Sequence, residues 1–154
     1  MPANAKSVKA KAVPDGFHTV TPYLVADDAR AVIAFMQKAF GATFDHEPVD
    51  RPDGKLMHAT LIIGSSRVMI ANSSERAPAG KAMLYLYLPN VDEVYRAAIK
   101  AGGTSIMEPM DMFYGDRSGG VTDPAGNQWY VATHIEDVSS ADLKTRAAEM
   151  FKSA

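Results

Sequence analysis

The sequence predicts an α+β fold in which two βαβββ modules form a curled mixed sheet around a cavity, followed by a C-terminal helix. Three observations carry this. Strand-like and helix-like segments recur twice in one order, an amphipathic helix ending on glycine holds second place in each round, and the halves superimpose without a gap. Shifting the first half by 62 positions lays Tyr23 on Tyr85, Leu24 on Leu86, Val32 on Val94, Lys38 on Lys100, Ala39 on Ala101 and Gly41 on Gly103. Those are six identities across positions 21–44. Repetition at a fixed spacing marks a duplicated supersecondary unit.

Residues 1–16 mix Ala, Lys, Pro and Gly without period and read as a flexible N-terminal arm. The folded domain is expected over 17–137, with module one at 17–72, a connector at 73–81 and module two at 82–137. Residues 18–26 alternate as a strand. Asp27 or Asp28 then caps a helix whose Val32, Phe35, Met36, Ala39 and Phe40 recur at helical spacing until Gly41 stops them. Residues 42–49, 56–63 and 67–72 read as strands, separated by the turn Pro52, Asp53, Gly54 and by Gly64 and Ser65. The polar connector follows.

Module two restarts with a strand at 82–88. Asn90 is placed as the next N-cap, with Glu93 at capping-box spacing, and Val91, Val94, Tyr95, Ala98 and Ile99 make the buried stripe before Gly102 and Gly103. Residues 104–110 form a strand. A hairpin turning on Asp123, Pro124, Ala125 and Gly126 supplies the last two, and it carries the only tryptophan, Trp129. Ser139 or Ser140 then caps a helix over 138–154, whose Leu143, Ala147 and Met150 share one face for packing on the body or on a partner chain.

Composition removes several function classes. With 154 residues, 47% of them hydrophobic, the chain can bury one substantial core. It has no cysteine, so a metal would need His, Asp or Glu, and a net charge of −2 with interspersed signs argues against nucleic acid. No stretch approaches membrane-spanning length and no signal-peptide apolar run follows the early lysines, so a soluble cytoplasmic protein is expected. No nucleophile elbow, phosphate loop or dinucleotide fingerprint occurs.

Three stretches carry a family likeness: T-P-Y-L-V-A-D-D-A from Thr21, M-H-A-T-L from Met57, and G-D-R-S-G-G-V-T-D-P-A-G-N-Q-W from Gly115. Over residues 17–137 the chain resembles the vicinal-oxygen-chelate superfamily of glyoxalase I, bleomycin-resistance proteins and extradiol dioxygenases, and its PhnB-like branch in particular. The resemblance implies paired modules enclosing a cavity, with two chains per assembly. It also implies metal ligands at the start of the first strand and in the last strand of each module. Thr21, Met83 and Tyr130 stand at three of those positions, and the fourth falls within 67–72, which has no His, Asp or Glu. These are poor donors for a divalent ion, so no metal and no other cofactor is expected.

Strand parity proposes a ligand face. If Leu84, Leu86 and Leu88 face the helices, then Met83, Tyr85 and Tyr87 face the other way, as do Thr21 and Tyr23 by the repeat and Gln128 and Tyr130 in the last strand. His58 sits mid-strand, as a cavity acid–base group or as a half-buried histidine paired with a neighbour. Asp116 and Arg117 read as an anion site or as a local salt bridge, and Glu108 as a solvent-facing carboxylate. The nine methionines read as an adaptable surface or as core filler. The expected function is binding of a small, partly apolar or aromatic molecule in an inter-module cavity by a homodimer. The alternative is a superfamily lyase, isomerase or dioxygenase using a displaced metal site, or His58 with a tyrosine. A pure interaction module is the third reading.

Overall fold

The structure is a computed structural model that describes residues 9–152, so residues 1–8 of the proposed arm lie outside it. Module one comprises β1 (Tyr23–Ala26), α1 (Ala29–Phe40), β2 (Thr43–Phe44), β3 (Val49–Asp50), β4 (Leu56–Ile63) and β5 (Ser66–Asn72). Module two comprises β6 (Met83–Tyr87), α2 (Val91–Lys100), β7 (Thr104–Asp111), β8 (Asp116–Thr122) and β9 (Gln128–His134), and α3 (Ser140–Lys152) follows. The first sheet has the order β1-β5-β4-β2, with β3 on β4, and the second has the order β6-β9-β8-β7. In each the module's first strand lies at the edge, parallel to its last strand. Tyr23 pairs with Met69 as Tyr85 pairs with Tyr130. The duplicated sequence therefore gives a duplicated topology, and the sheets curl without closing.

The expected strand over 42–49 is two short pieces. Pro48 has no amide proton to add to a ladder, and His46 turns its ring back onto the Glu47 carbonyl, with 3.0 Å between Nδ1 and the oxygen. Pairing with β4 resumes at Val49, with a register shift before Asp50. Asp28 caps α1 by accepting from the Ala31 amide at 3.1 Å. The capping box expected for α2 does not form, since Asn90 makes no side-chain cap bond. Instead, Thr133 Oγ1 on β9 accepts from the Val91 amide at 3.0 Å. A tertiary contact has replaced the local one.

α1 and α2 pack together on the same side of the sheets. Trp129, fully buried, lies with its ring centroid 6.4 Å from Phe35 and 5.1 Å from Phe40. The tryptophan of module two is thus clamped by the helix of module one, and the two modules share one core. Its indole needs a polar partner there, and Asp123 supplies it at 2.8 Å. The same buried carboxylate accepts from the amides of Ala125 and Asn127 and from the Asn127 side chain. Asn127 in turn accepts from the Ala82 amide at 2.8 Å, which tethers the start of β6. The hairpin motif is a structural knot.

Ser139 caps α3 by accepting from the Asp142 amide. No residue of α3 is buried, and it is held to the body by Arg146, which pairs with Glu136 and donates to the Phe113 carbonyl. Among the described residues no helix is long and apolar enough to cross a membrane.

Candidate functional site

The face turned away from the helices carries the chemistry in two clusters. Alternation in β6 leaves Tyr85 and Tyr87 on it, 40% and 62% exposed, while Leu84 and Leu86 turn toward the core. Both phenols donate to Asp116 Oδ2, at 2.8 and 2.9 Å. The carboxylate is nearly buried, and its other oxygen meets His134 Nδ1 at 2.8 Å. His134 Nε2 meets Asp137 at 2.7 Å. A ring with a carboxylate at each nitrogen is satisfied only as imidazolium.

Each charge in this cluster moves its neighbours' titration. Burial works to raise Asp116, but the bonds from His134, Tyr85 and Tyr87 outweigh it and hold the carboxyl below its ordinary value. Asp116 first, and Asp137 second, raise His134. Burial, helped by the Tyr114 hydroxyl 3.4 Å away, pushes the Tyr85 phenol up. Tyr130 completes the floor: its ring stacks parallel to Tyr85 at 6.4 Å and lies across Gly120. A Cβ at Gly120 would stand 2.9 Å from that ring, so only glycine lets it lie there. The Ser118 hydroxyl is buried on the same strand, beside the Tyr85 phenol.

The second cluster belongs to module one. Tyr23 meets His58 Nδ1 at 2.9 Å, and His58 Nε2 meets Thr60 Oγ1 at 3.1 Å. His46 stacks on His58 at 5.8 Å, which sequence spacing did not foretell. Burial, and then the charge of His46, lowers the pKa of His58, while burial raises Tyr23. The imidazole is neutral at pH 7, with one nitrogen accepting and the other donating.

The eight candidate ligand residues are therefore not gathered in one enclosed space. Tyr23 and His58 meet on module one, and Tyr85, Tyr87 and Tyr130 meet on module two. Met83, 64% exposed, and Gln128 share the strand pair β6–β9. Thr21 lies in the loop before β1, its hydroxyl 3.4 Å from the His18 carbonyl. A cleft of about 330 Å³ runs between the β6 edge and the β4–β5 turn. It is lined mainly by apolar groups, with Tyr85 and Tyr87 at one side. A larger cleft, of about 740 Å³, opens on module one beside Tyr23, Arg51, Met57 and Arg76.

Arg117 and Asp116 do not pair with each other. Neighbours on a strand point to opposite faces, so Arg117 goes outward to a bidentate pair with Asp92 at 2.9 Å and to Asp111 at 3.1 Å. His134, at the end of β9, is the outer partner of the buried carboxylate. Parity along β8 was the available signal, because Asp116 and Ser118 share a face with Gly120, the partner of Tyr130.

The register also identifies the fourth metal-equivalent position as Met69, which pairs with Tyr23 as Tyr130 pairs with Tyr85. A set of Thr21, Met69, Met83 and Tyr130 offers no imidazole or carboxylate and does not fit the superfamily's divalent ion. Among the described residues no group of three or more His, Cys, Asp or Glu is placed to hold a metal elsewhere.

Comparison with known proteins agrees with the topology. A family model described as Glyoxalase/Bleomycin resistance protein/Dioxygenase superfamily matches residues 16–131. An uncharacterized protein of Mycobacterium bovis (strain ATCC BAA-935 / AF2122/97) is 33% identical over 136 residues, covering 81% of this chain and 89% of the relative. TioX from Micromonospora sp. ML1 superimposes with a TM-score of 0.63 at 20% identity, over 75% of this chain and 98% of that one. A glyoxalase/bleomycin resistance protein/dioxygenase family enzyme from Burkholderia phytofirmans PsJN gives 0.60 at 19% identity, over 75% and 97%. At such identities these two structures bear on the fold alone.

Proposed function

The chain belongs to the glyoxalase/bleomycin resistance protein/dioxygenase superfamily, and on that premise we propose that it binds a small, partly apolar or aromatic molecule on the open side of its sheets, without a divalent metal. One observation carries this reading. Tyr23 on β1 and Met83, Tyr85 and Tyr87 on β6, each at least 40% exposed, are large side chains left uncovered on the two sheets. Clustered large side chains left uncovered, as on β6, mark a surface where something docks. Rigid rings suit flat ligands, since they bury area at small entropic cost.

The finer parts of the reading follow from the same face. A homodimer in which each copy covers part of the other's open side would enclose the ligand, as Phe44, Val49 and Met110 are exposed as well. The PhnB-like branch is our assignment from the opening T-P-Y-L-V-A-D-D-A and from the hairpin motif. A thermal-shift screen of small aromatic and heterocyclic compounds, run beside elemental analysis of protein purified without chelator, tests the whole. Stabilisation by a compound is expected, lost in Tyr23→Ala if the site is on module one or in Tyr85→Ala if it is on module two. A stoichiometric divalent ion that stabilises the fold would sink the metal-free part.

A second reading has one specific observation behind it, the 2.9 Å contact between Tyr23 and a neutral His58. A neutral imidazole oriented by a phenol could act as a general base toward a bound ligand, which would serve a superfamily lyase or isomerase. That reading predicts that His58→Gln abolishes turnover of a ligand found in the screen while its binding survives. Unchanged turnover would remove it.

A further inference from the structure

We infer that the module-one cleft selects small organic acids, with a carboxylate held by Arg51 and Arg76 and an apolar body laid on Tyr23 and Met57. The inference rests on the small-molecule reading above and adds the ligand's chemical class. The cleft is large enough for such a ligand, at about 740 Å³, and its walls include Val25 and Ala71 besides the tyrosine and methionine. Two guanidinium groups line it, and no carboxylate does.

The charge of these two arginines is answered less than that of Arg117, Arg146 or Arg30. Arg117 is saturated by Asp92 and Asp111, Arg146 by Glu136 through two bonds, and Arg30 meets Asp50 at 2.7 Å. Arg51 has only a long 3.4 Å contact, from Nε to Asp53, although its side chain is just 22% exposed. Its Nη1 donates to the Ser73 carbonyl at 3.2 Å, which fixes the guanidinium at the wall, and Nη2 is used in neither contact. Arg76, on the same connector, makes no ion pair among the described residues. Other polar groups at the wall are committed: the Asn72 amide donates to the Asp27 carbonyl and its oxygen accepts from the Leu56 amide. The Tyr23 hydroxyl is taken by His58, so the phenol presents its ring to the cleft.

Unanswered positive charge beside a low-dielectric wall attracts anions. A planar guanidinium fork matches the two oxygens of a carboxylate. The apolar wall excludes simple inorganic anions from being the best fit, because it gains only when an apolar body covers it.

Calorimetric titration with 1-naphthoate and its neutral isostere 1-naphthamide tests this. The acid is expected to bind about ten-fold tighter than the amide, the scale of one charge-assisted hydrogen bond. The ratio should collapse toward one in Arg51→Gln/Arg76→Gln while the amide's affinity holds. Should the double variant misfold, Arg76→Gln alone, at an exposed connector position, is expected to lower the ratio at least about three-fold. Equal binding of the two probes, or an acid preference that survives both variants, overturns the inference and leaves the small-molecule reading standing. An acid preference abolished by Tyr85→Ala and untouched by the arginine variants also overturns it, by moving the site to module two. Failure of folded wild-type protein to bind either probe overturns the inference together with the reading beneath it.

Discussion

On the open face of module two the phenols of Tyr85 and Tyr87 both donate to one buried carboxylate, whereas the equivalent Tyr23 of module one meets a neutral histidine. The strand order is the same in both halves, and the tyrosine pairs with the same neighbour strand. What differs is whether a charge was buried beneath it. Asp116 accepts hydrogen bonds from both module-two phenols and favours His134 as imidazolium, so that face is held in one arrangement. On module one Tyr23 meets His58 with no buried carboxylate beneath it, and of the cleft arginines Arg51 has only a long contact to Asp53 while Arg76 has no ion pair among the described residues. Duplication thus supplied two scaffolds, one organised around a buried carboxylate and the other without one.

The largest way to break this contrast is to remove the buried charge. Asp116→Ala strips the partner from two phenols and an imidazolium, and should cost about 3 kcal/mol in urea unfolding. His58→Gln on module one should stay within about 1 kcal/mol. Equal losses would erase the distinction between the faces.

The second test is pH dependence. His134 has its folded pKa raised above 6.5, so its contribution is full below that value and fades as pH rises through the raised one. Asp116 has its folded pKa lowered, so its contribution is present above the ordinary carboxylate value and is lost in acid. Wild-type stability should therefore fall as pH climbs above about 6.5, and His134→Gln should flatten that slope. A variant that keeps the slope would place the titrating group elsewhere. Imidazole NMR sharpens the same point without mutation, for His58 should titrate below 6.5 and His134 above it. The reverse order would invert the account.

The smallest effect concerns the helix caps. Asp28→Ala should cost about 1 kcal/mol because its side chain bonds Ala31, while Asn90→Ala should cost less than about half of that because Thr133 does the capping.

Much of the fold could be read from the chain because its signals are local or repeated. Asp28, Gly41 and the alternation in β6 are set by neighbours within a turn or a strand. Residues 42–49 were read as a continuous strand because the β-branched and aromatic groups outvoted Pro48, whose effect shows only once the ladder is drawn. The open-face tyrosines of module two followed from strand parity, and Tyr23 from the repeat. Asp116 was visible as a residue but not as a hub, since its partners lie up to 31 residues away and its burial depends on rings from another strand. The Arg51 and Arg76 pair is held together by a contact between a turn and a connector, which no spacing rule encodes.

The account turns on where a ligand sits. Amide chemical-shift mapping during titration with 1-naphthoate addresses that directly, because it reports each face separately. The expected result is a cluster of shifts at Tyr23, Met57, Ala71 and Arg76, with the Tyr85 and Tyr87 amides little moved. Shifts concentrated on 84–88 instead, or spread over neither face, would contradict the assignment of ligand chemistry to module one.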